Sequence, residues 1–203
     1  GDIYQATNTD INPNYADANI EIVGSIEEGI AAAKWSPDEE VLALATNVGT
    51  FILLTRNFHP ISETKILPED LSISKHVSVG WGKKETQFQG RGAKAAQRDP
   101  TMPAQVDTGI LDSTDNREVQ ISWRGDGEVV AVNVIDKEPV ERRTVRVYTR
   151  EGTLDSVSEP VDRLSNVVSW RPSGNLIAAV QRKYNESPDL VFFERNGLRR
   201  GEF

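Results

Sequence analysis

A tryptophan, a tight turn and a small-and-branched apolar run occur together three times in this chain, always in the same register. The copies are KWSPDEEVLALA (34–45), SWRGDGEVVAVN (122–133) and SWRPSGNLIAAV (169–180). Counted from each Trp, the sixth residue is Val41, Val129 or Leu176, the seventh Leu42, Val130 or Ile177, and the eighth Ala43, Ala131 or Ala178. Three matches in one register mean a single supersecondary unit used repeatedly. Such a unit cannot bury its faces alone, so the fold must stack copies of it.

Within each copy the apolar period is two, not 3.6, which argues strands rather than helices. Ser36-Pro37-Asp38 forms the first turn: Pro presets φ, and Asp bonds back to the backbone. Gly125-Asp126-Gly127 and Pro172-Ser173-Gly174 are its counterparts. Third strands follow at TFILLTR (50–56), TVRVYTR (144–150) and DLVFFER (189–195), and more polar fourth strands at ISETKI (61–66) and LDSVS (154–158). Four short strands per unit with no amphipathic helix predict an all-β, WD-repeat-type partial β-propeller with four-stranded antiparallel blades. The 47 residues from Trp123 to Trp170 suit one blade, whereas the 88 from Trp35 to Trp123 leave room for about one more.

In that interval VSVGW (77–81) starts like another first strand but lacks the turn that should follow. A polar stretch, 83–117, replaces it and reads as a long, partly mobile loop. At the N-terminus, GDIYQA (1–6) and IEIVGSI (20–26) look like the third and fourth strands of a blade begun earlier, and the C-terminus stops soon after a third strand. The expected organisation is one propeller domain: 1–26 the end of a preceding blade, 27–76 a blade, 77–118 a degenerate strand plus the insertion, 119–165 a blade, and 166–203 an incomplete blade. Such a chain reads as a segment of a longer protein.

Little in the sequence promises catalysis. There is no cysteine, which excludes a disulfide framework, a thiolate metal site and a cysteine nucleophile, and favours an intracellular setting. The two histidines, His59 and His76, sit beside strand ends and read as turn or surface residues rather than members of a zinc site or a relay. No nucleophile elbow, zinc-protease, P-loop or dinucleotide fingerprint is present, so no cofactor and no metal is expected. Trp35, Trp81, Trp123 and Trp170 end first strands beside small residues and read as wedges filling the space between blades, in preference to a surface platform.

The insertion is the best candidate contact. Residues 83–98 carry Lys83, Lys84, Arg91, Lys94 and Arg98 against Glu85, a net of +4, with Phe88 among them; residues 99–118 carry a net of −4. A basic, glycine-punctuated segment with an aromatic could contact RNA phosphates or an acidic partner surface. The bland reading is a solvated loop that compensates its own charge. Overall the net charge of −8 argues against a chain whose whole surface grips nucleic acid.

Several strings are specific beyond the propeller pattern. HVSVGWGKKETQFQG (76–90) followed by RDPTMP (98–103) resembles the N-terminal propeller of the largest subunit of the Elongator complex, especially its fungal forms. WSPDEEVLALAT (35–46), ISWRGDGE (121–128), RVYTREG (146–152), SWRPSGNLIA (169–178) and VFFERNGLR (191–199) are similar to the same family. The Trp-Asp and Gly-His signatures of common WD repeats are absent. The resemblance implies a non-catalytic scaffold that organises a catalytic subunit, a radical S-adenosylmethionine and acetyl-CoA enzyme, and a second double-propeller subunit. It further implies work on the wobble uridine of transfer RNA, a cytoplasmic and also nuclear location, and homodimerisation of the parent subunit through regions outside this segment. The rival expectation is direct transfer-RNA binding by the basic half of the insertion together with Arg142, Arg143 and Arg146.

Overall fold

The computed structural model describes residues 1–7, 19–72, 107–137, 140–184 and 186–200. The chain is all-β apart from a single 3-10 turn at Pro68–Ser72 among the described residues. Strands β1 (Asp2–Thr7) and β2 (Asn19–Ser25) form an antiparallel pair. The first full blade is β3 (Ile30–Trp35), β4 (Val41–Thr46), β5 (Thr50–Thr55) and β6 (Pro60–Lys65). The middle blade is β7 (Gln120–Trp123), β8 (Val129–Asp136), β9 (Arg142–Thr149) and β10 (Leu154–Val157). The last is β11 (Leu164–Trp170), β12 (Leu176–Gln181), β13 (Asp189–Glu194) and β14 (Arg199–Arg200). All three are antiparallel meanders in sequence order. The last unit does not end at a third strand, as expected: β14 adds a short fourth, Arg199 and Arg200 pairing with Phe193 and Phe192.

The repeated register has a structural cause. In each blade the Trp lies opposite the residue seven positions on: Trp35 opposite Leu42, Trp123 opposite Val130, Trp170 opposite Ile177. The turn between them fixes that register, and a slip of one residue would exchange the two faces of the sheet. In the first copy Ser36 accepts from the Val41 N–H through its hydroxyl oxygen, and the Asp38 carboxylate accepts from the Ser36 hydroxyl and the Glu40 N–H.

The second strands of the first and middle blades are buried on both sides because each of those blades lies between neighbours, whereas on β12 only Ile177 and Ala179, facing the middle blade, are fully buried. On β8, Val129 and Ala131 join Val145 and Val147 in a core with Leu164, Val168, Trp170, Ile177 and Phe193 of the last blade. From the same strand, Val130, Val132 and Val134 face the other way, into a core with Val41, Ala43, Phe51, Leu53 and Trp123. Tyr148 belongs to that second core and stacks on Phe51, centroids 4.4 Å apart. On β4, Leu42 and Leu44 point outward toward Ile3 and Ile26, so the β1–β2 pair covers the first blade as a partial neighbour.

The tryptophans do not share one environment. Trp170 is buried and donates to the Gly174 carbonyl, with the Arg124 guanidinium over its ring. Trp123 is buried and donates across the blade boundary to the Lys34 carbonyl at 3.1 Å. Trp35 departs from the expected wedge: it is 39% exposed, with the edge of Phe58 as its aromatic neighbour. Its indole has only the two-stranded β1–β2 pair ahead of it, and no inner strand among the described residues lies where β3 lies against Trp123. Trp81 falls outside the described residues.

Candidate assembly surface at the connecting end of the blades

In an antiparallel meander the second-to-third loop and the exit from the fourth strand lie at the same end. That end therefore gathers the segments 47–49, 66–72, 107–119, 158–163, 182–184 and 186–188, so the chain leaves the blades at 66–72 and rejoins them at 107–119 on the same side. Two buried arginines of β9 set its geometry.

Arg146 points toward the first blade. Its guanidinium donates to Asp136 of β8 at 2.7 Å, to Asp70 of the 3-10 turn at 2.8 Å and to the Leu67 carbonyl at 3.2 Å. Asp136 also accepts from the Thr144 hydroxyl. Arg143, of opposite parity on the strand, points toward the last blade. It makes a two-pronged contact with Asp115, 2.6 Å on each prong, and donates to the Glu118 carbonyl at 2.9 Å. Both arginines are buried. Guanidinium is suited to this because its planar fork matches a carboxylate and its charge survives desolvation. Burial alone would raise the Asp115 carboxyl, but Arg143 and the Arg117 N–H more than offset it and hold it below its usual value.

These contacts correct the expectation that Arg142, Arg143 and Arg146 form an RNA-binding row. Arg143 and Arg146 are internal ties between blades, spent on acids of this chain; Arg142 lies partly exposed beside Gly109.

The second half of the insertion is not the self-compensating solvated loop anticipated, at least over its described part. Residues 107–118 form a strap laid across the last blade. Asp107 pairs with Arg199. The N–H groups of Thr108, Gly109 and Ile110 all donate to Asp162 Oδ1, between 2.7 and 3.0 Å. Burial works against the Asp162 charge, and these three N–H groups outweigh it, so its carboxyl titrates below the ordinary range. Thr114 accepts from Arg182, Asp115 takes Arg143, Arg117 pairs with Glu141, and Glu118 accepts from Asn166. Among the described residues, the strap's acids Asp107, Asp112 and Asp115 are answered by arginines of the blades. One faint signal for this was readable, the acid-rich spacing Asp107, Asp112, Asp115 alongside an arginine-bearing β9.

Lys83, Lys84, Phe88, Arg91, Lys94 and Arg98 lie outside the described residues, as does His76. Exposed His59 sits in the turn after β5, its carbonyl accepting from the Thr55 N–H. Among the described residues no cluster of three His, Cys, Asp or Glu could hold a metal ion, and no helix is long and apolar enough to cross a membrane.

Two grooves open at this end. One, of about 500 Å³, lies between the first and middle blades and is bordered by Thr46, Asn47, Pro68, Arg117, Asp136 and Lys137. Asp136 is committed to Arg146 and Thr144, and Arg117 to Glu141, so the walls are ion-paired structure and not a poised acid and base. The other, of about 470 Å³, lies on the last blade between the strap and the β12–β13 connection.

Comparison with known proteins agrees with this architecture. The family described as the ELP1 first N-terminal beta-propeller matches residues 1–203. Elongator complex protein 1 of Saccharomyces cerevisiae is 47% identical over 232 aligned residues, covering 100% of this chain and 17% of its own length. Its counterpart in Oryctolagus cuniculus is 44% identical over 94% of this chain and 14% of its own, and that of Arabidopsis thaliana 29% identical over 90% and 12%. The chain therefore spans about a sixth or less of these relatives. Among solved structures, U3-55K overlays with a TM-score of 0.50 at 8% identity, covering 89% of this chain and 41% of that one, which bears on the fold alone.

Proposed function

Because the chain belongs to the family of the ELP1 first N-terminal beta-propeller, we propose that it is a non-catalytic scaffold segment of the Elongator assembly. In this reading, rigid blades present the connecting end to the catalytic subunit and the double-propeller subunit of a machine that modifies the wobble uridine of transfer RNA. One observation carries it: both feet of the insertion are clamped to a single strand by buried arginines, Asp70 by Arg146 and Asp115 by Arg143. The connection therefore leaves and rejoins the blades at two clamped points, both on the middle blade's third strand.

The charge distribution says what kind of molecule suits the insertion. Residues 83–98 carry a net +4, and the acids at 107, 112 and 115 have arginine partners on the blades. Lys83, Lys84, Phe88, Arg91, Lys94 and Arg98 are therefore offered to an anionic partner. An acidic protein surface fits the scaffold reading. Direct contact with transfer RNA is the second reading, and it now rests on these residues without the two buried arginines.

Reconstitution of the full-length protein with the other subunits separates the two. The scaffold reading expects crosslinks from Lys83, Lys84 or Lys94 to another subunit, and loss of that subunit when Lys83, Lys84 and Arg91 are reversed to Glu. If the reversal leaves every subunit bound but weakens transfer RNA and flattens its salt dependence, the RNA reading replaces it.

A further inference from the structure

A second candidate contact point lies on the last blade, in the groove beside the strap. Tyr184, in the β12–β13 connection, is 74% exposed. The Arg163 guanidinium lies over its ring, 5.1 Å from the centroid. Ile110 of the strap and Pro188 line the same groove, and Ile110 is exposed. Tyrosine and arginine, rigid and amphipathic, dominate the energetics of protein interfaces when they stand together beside apolar groups.

Arg163 is also held in an unfavourable backbone conformation, with φ at 57°. A non-glycine residue there is strained by its own Cβ. Its neighbours enforce that geometry: the Arg163 N–H donates to the Ile110 carbonyl at 2.7 Å, and its carbonyl accepts from the Arg182 N–H at 2.9 Å. The result is a guanidinium braced above an exposed ring. Strain of this kind, kept by its surroundings, points to a use for the side chain.

The charges nearby decide the class of ligand. Lys183 pairs with Asp189 and lies 4.0 Å from Glu186, and Arg182 donates to Thr114 and lies 4.0 Å from Asp112. Arg163 makes no ion pair with any described residue. A run of phosphates needs several free cations, and among the described residues this groove offers one, Arg163, whose charge also reaches Asp112. A polypeptide needs one carboxylate beside an apolar group, which is what Arg163, Tyr184 and Ile110 complement.

We propose that the Arg163–Tyr184 pair is a docking site for an extended segment of a partner protein that sets a carboxylate on Arg163 and an apolar side chain against Tyr184 and Ile110. The inference rests on the scaffold reading above. It is tested with the full-length protein reconstituted with the remaining subunits of the assembly, each subunit's affinity being measured by titration. Arg163→Glu and Tyr184→Ala should each weaken one and the same subunit by about tenfold or more. Arg163→Lys, which keeps the charge but loses the planar stack, should lose less than Arg163→Glu. Unchanged melting of each variant guards against misfolding. Unchanged affinity for every subunit overturns the proposal, as does a fall in transfer-RNA affinity with the subunits unaffected. In both cases the assembly still forms and the scaffold reading stands; failure of the unaltered protein to assemble would sink both together.

Discussion

Trp35 and Trp123 occupy the same place in the same repeated unit, yet one is 39% exposed and the other 7%. Their local sequences, turns and registers match. What differs is the neighbour. Trp123 meets the inner strand of the first blade and donates to Lys34, whereas Trp35 meets only the two-stranded β1–β2 pair and Phe58. A repeat fixes where a ring points; the adjacent copy decides whether water is removed from it.

The contrast is tested most severely by cutting both rings. In the 203-residue chain Trp123→Ala should cost about 3–5 kcal/mol, the range for deleting a large buried aromatic. Trp35→Ala should cost about 1 kcal/mol, since much of that ring stays wet in the native state. Chemical denaturation of the two variants checks this, and equal losses would break the comparison. Repeating the pair in the full-length protein sharpens it: a Trp35→Ala cost rising to that of Trp123→Ala would mean that a further strand lies against Trp35.

The blade boundaries themselves come next. Asp115→Ala leaves Arg143 buried beside one carbonyl and Asn133, and Asp136→Ala removes the most buried carboxylate from Arg146. Asp115→Ala should cost about 3–5 kcal/mol, because the buried Arg143 loses its only carboxylate among the described residues, and Asp136→Ala less, about 1–3 kcal/mol, because Arg146 keeps Asp70. The two differ in what else they release. Asp115→Ala should raise hydrogen exchange at the N–H groups of the strap, 107–118, and Asp136→Ala at the 3-10 turn. Exchange rising equally in both places for either variant would show that the two clamps are not separate.

A smaller effect distinguishes a glycine at a boundary from one in the open. Gly197 and Gly174 both have positive φ. A Cβ on Gly197 would stand 2.1 Å from the Val157 carbonyl oxygen of the middle blade, whereas one on Gly174 meets nothing within 4 Å. Gly197→Ala should therefore cost about 2–4 kcal/mol, strain and crowding together, and Gly174→Ala about 1–2 kcal/mol from strain alone. Thermal unfolding of both variants reads the difference.

How legible all this was in the sequence follows the same division between unit and neighbour. The strands, turns and Trp register were readable because they are local: alternation, Pro-Asp and Gly-Asp turns, and apolar runs such as VVAVNV that only a doubly covered strand tolerates. The roles of Arg143 and Arg146 were not. In TVRVYTR the arginine alternates with valines as it would on a strand with one wet face, so it reads as surface. Asp136 is only ten residues from Arg146, but the acids that tie these arginines beyond their own strands lie farther off, Asp70 76 residues from Arg146 and Asp115 28 residues from Arg143. Only the stacking of blades turns that wet face into an interior. The strap was missed for a related reason: its anchor, Asp162, lies in a short blade-to-blade connection with no motif of its own. Arg163 and Tyr184 left no signal either, being 21 residues apart and joined by a backbone conformation that sequence does not announce.

The smallest effect concerns the turns at the Trp ends, where blade meets blade in water instead of in a core. Asp38 accepts from the Ser36 hydroxyl and pairs with Arg150 of the middle blade at 2.6 Å. The hydroxyl first, then the guanidinium, lower its carboxyl from 3.8 to about 2. A carboxyl depressed on folding adds stability that is fully present above its unfolded value and fades as pH falls toward its folded one. The Asp38 contribution should therefore be intact above roughly pH 4 and disappear between there and about pH 2. Its side chain is 47% exposed, so solvent screens the pair and Asp38→Asn should cost under about 1 kcal/mol at neutral pH. Acid unfolding of the variant should be correspondingly less steep over that window, with the remaining slope coming from Asp115 and Asp162, whose carboxyls are also lowered. A steeper curve for Asp38→Asn than for the unaltered chain would mean that the Asp38 charge opposes folding, and that these turns repel where the cores attract.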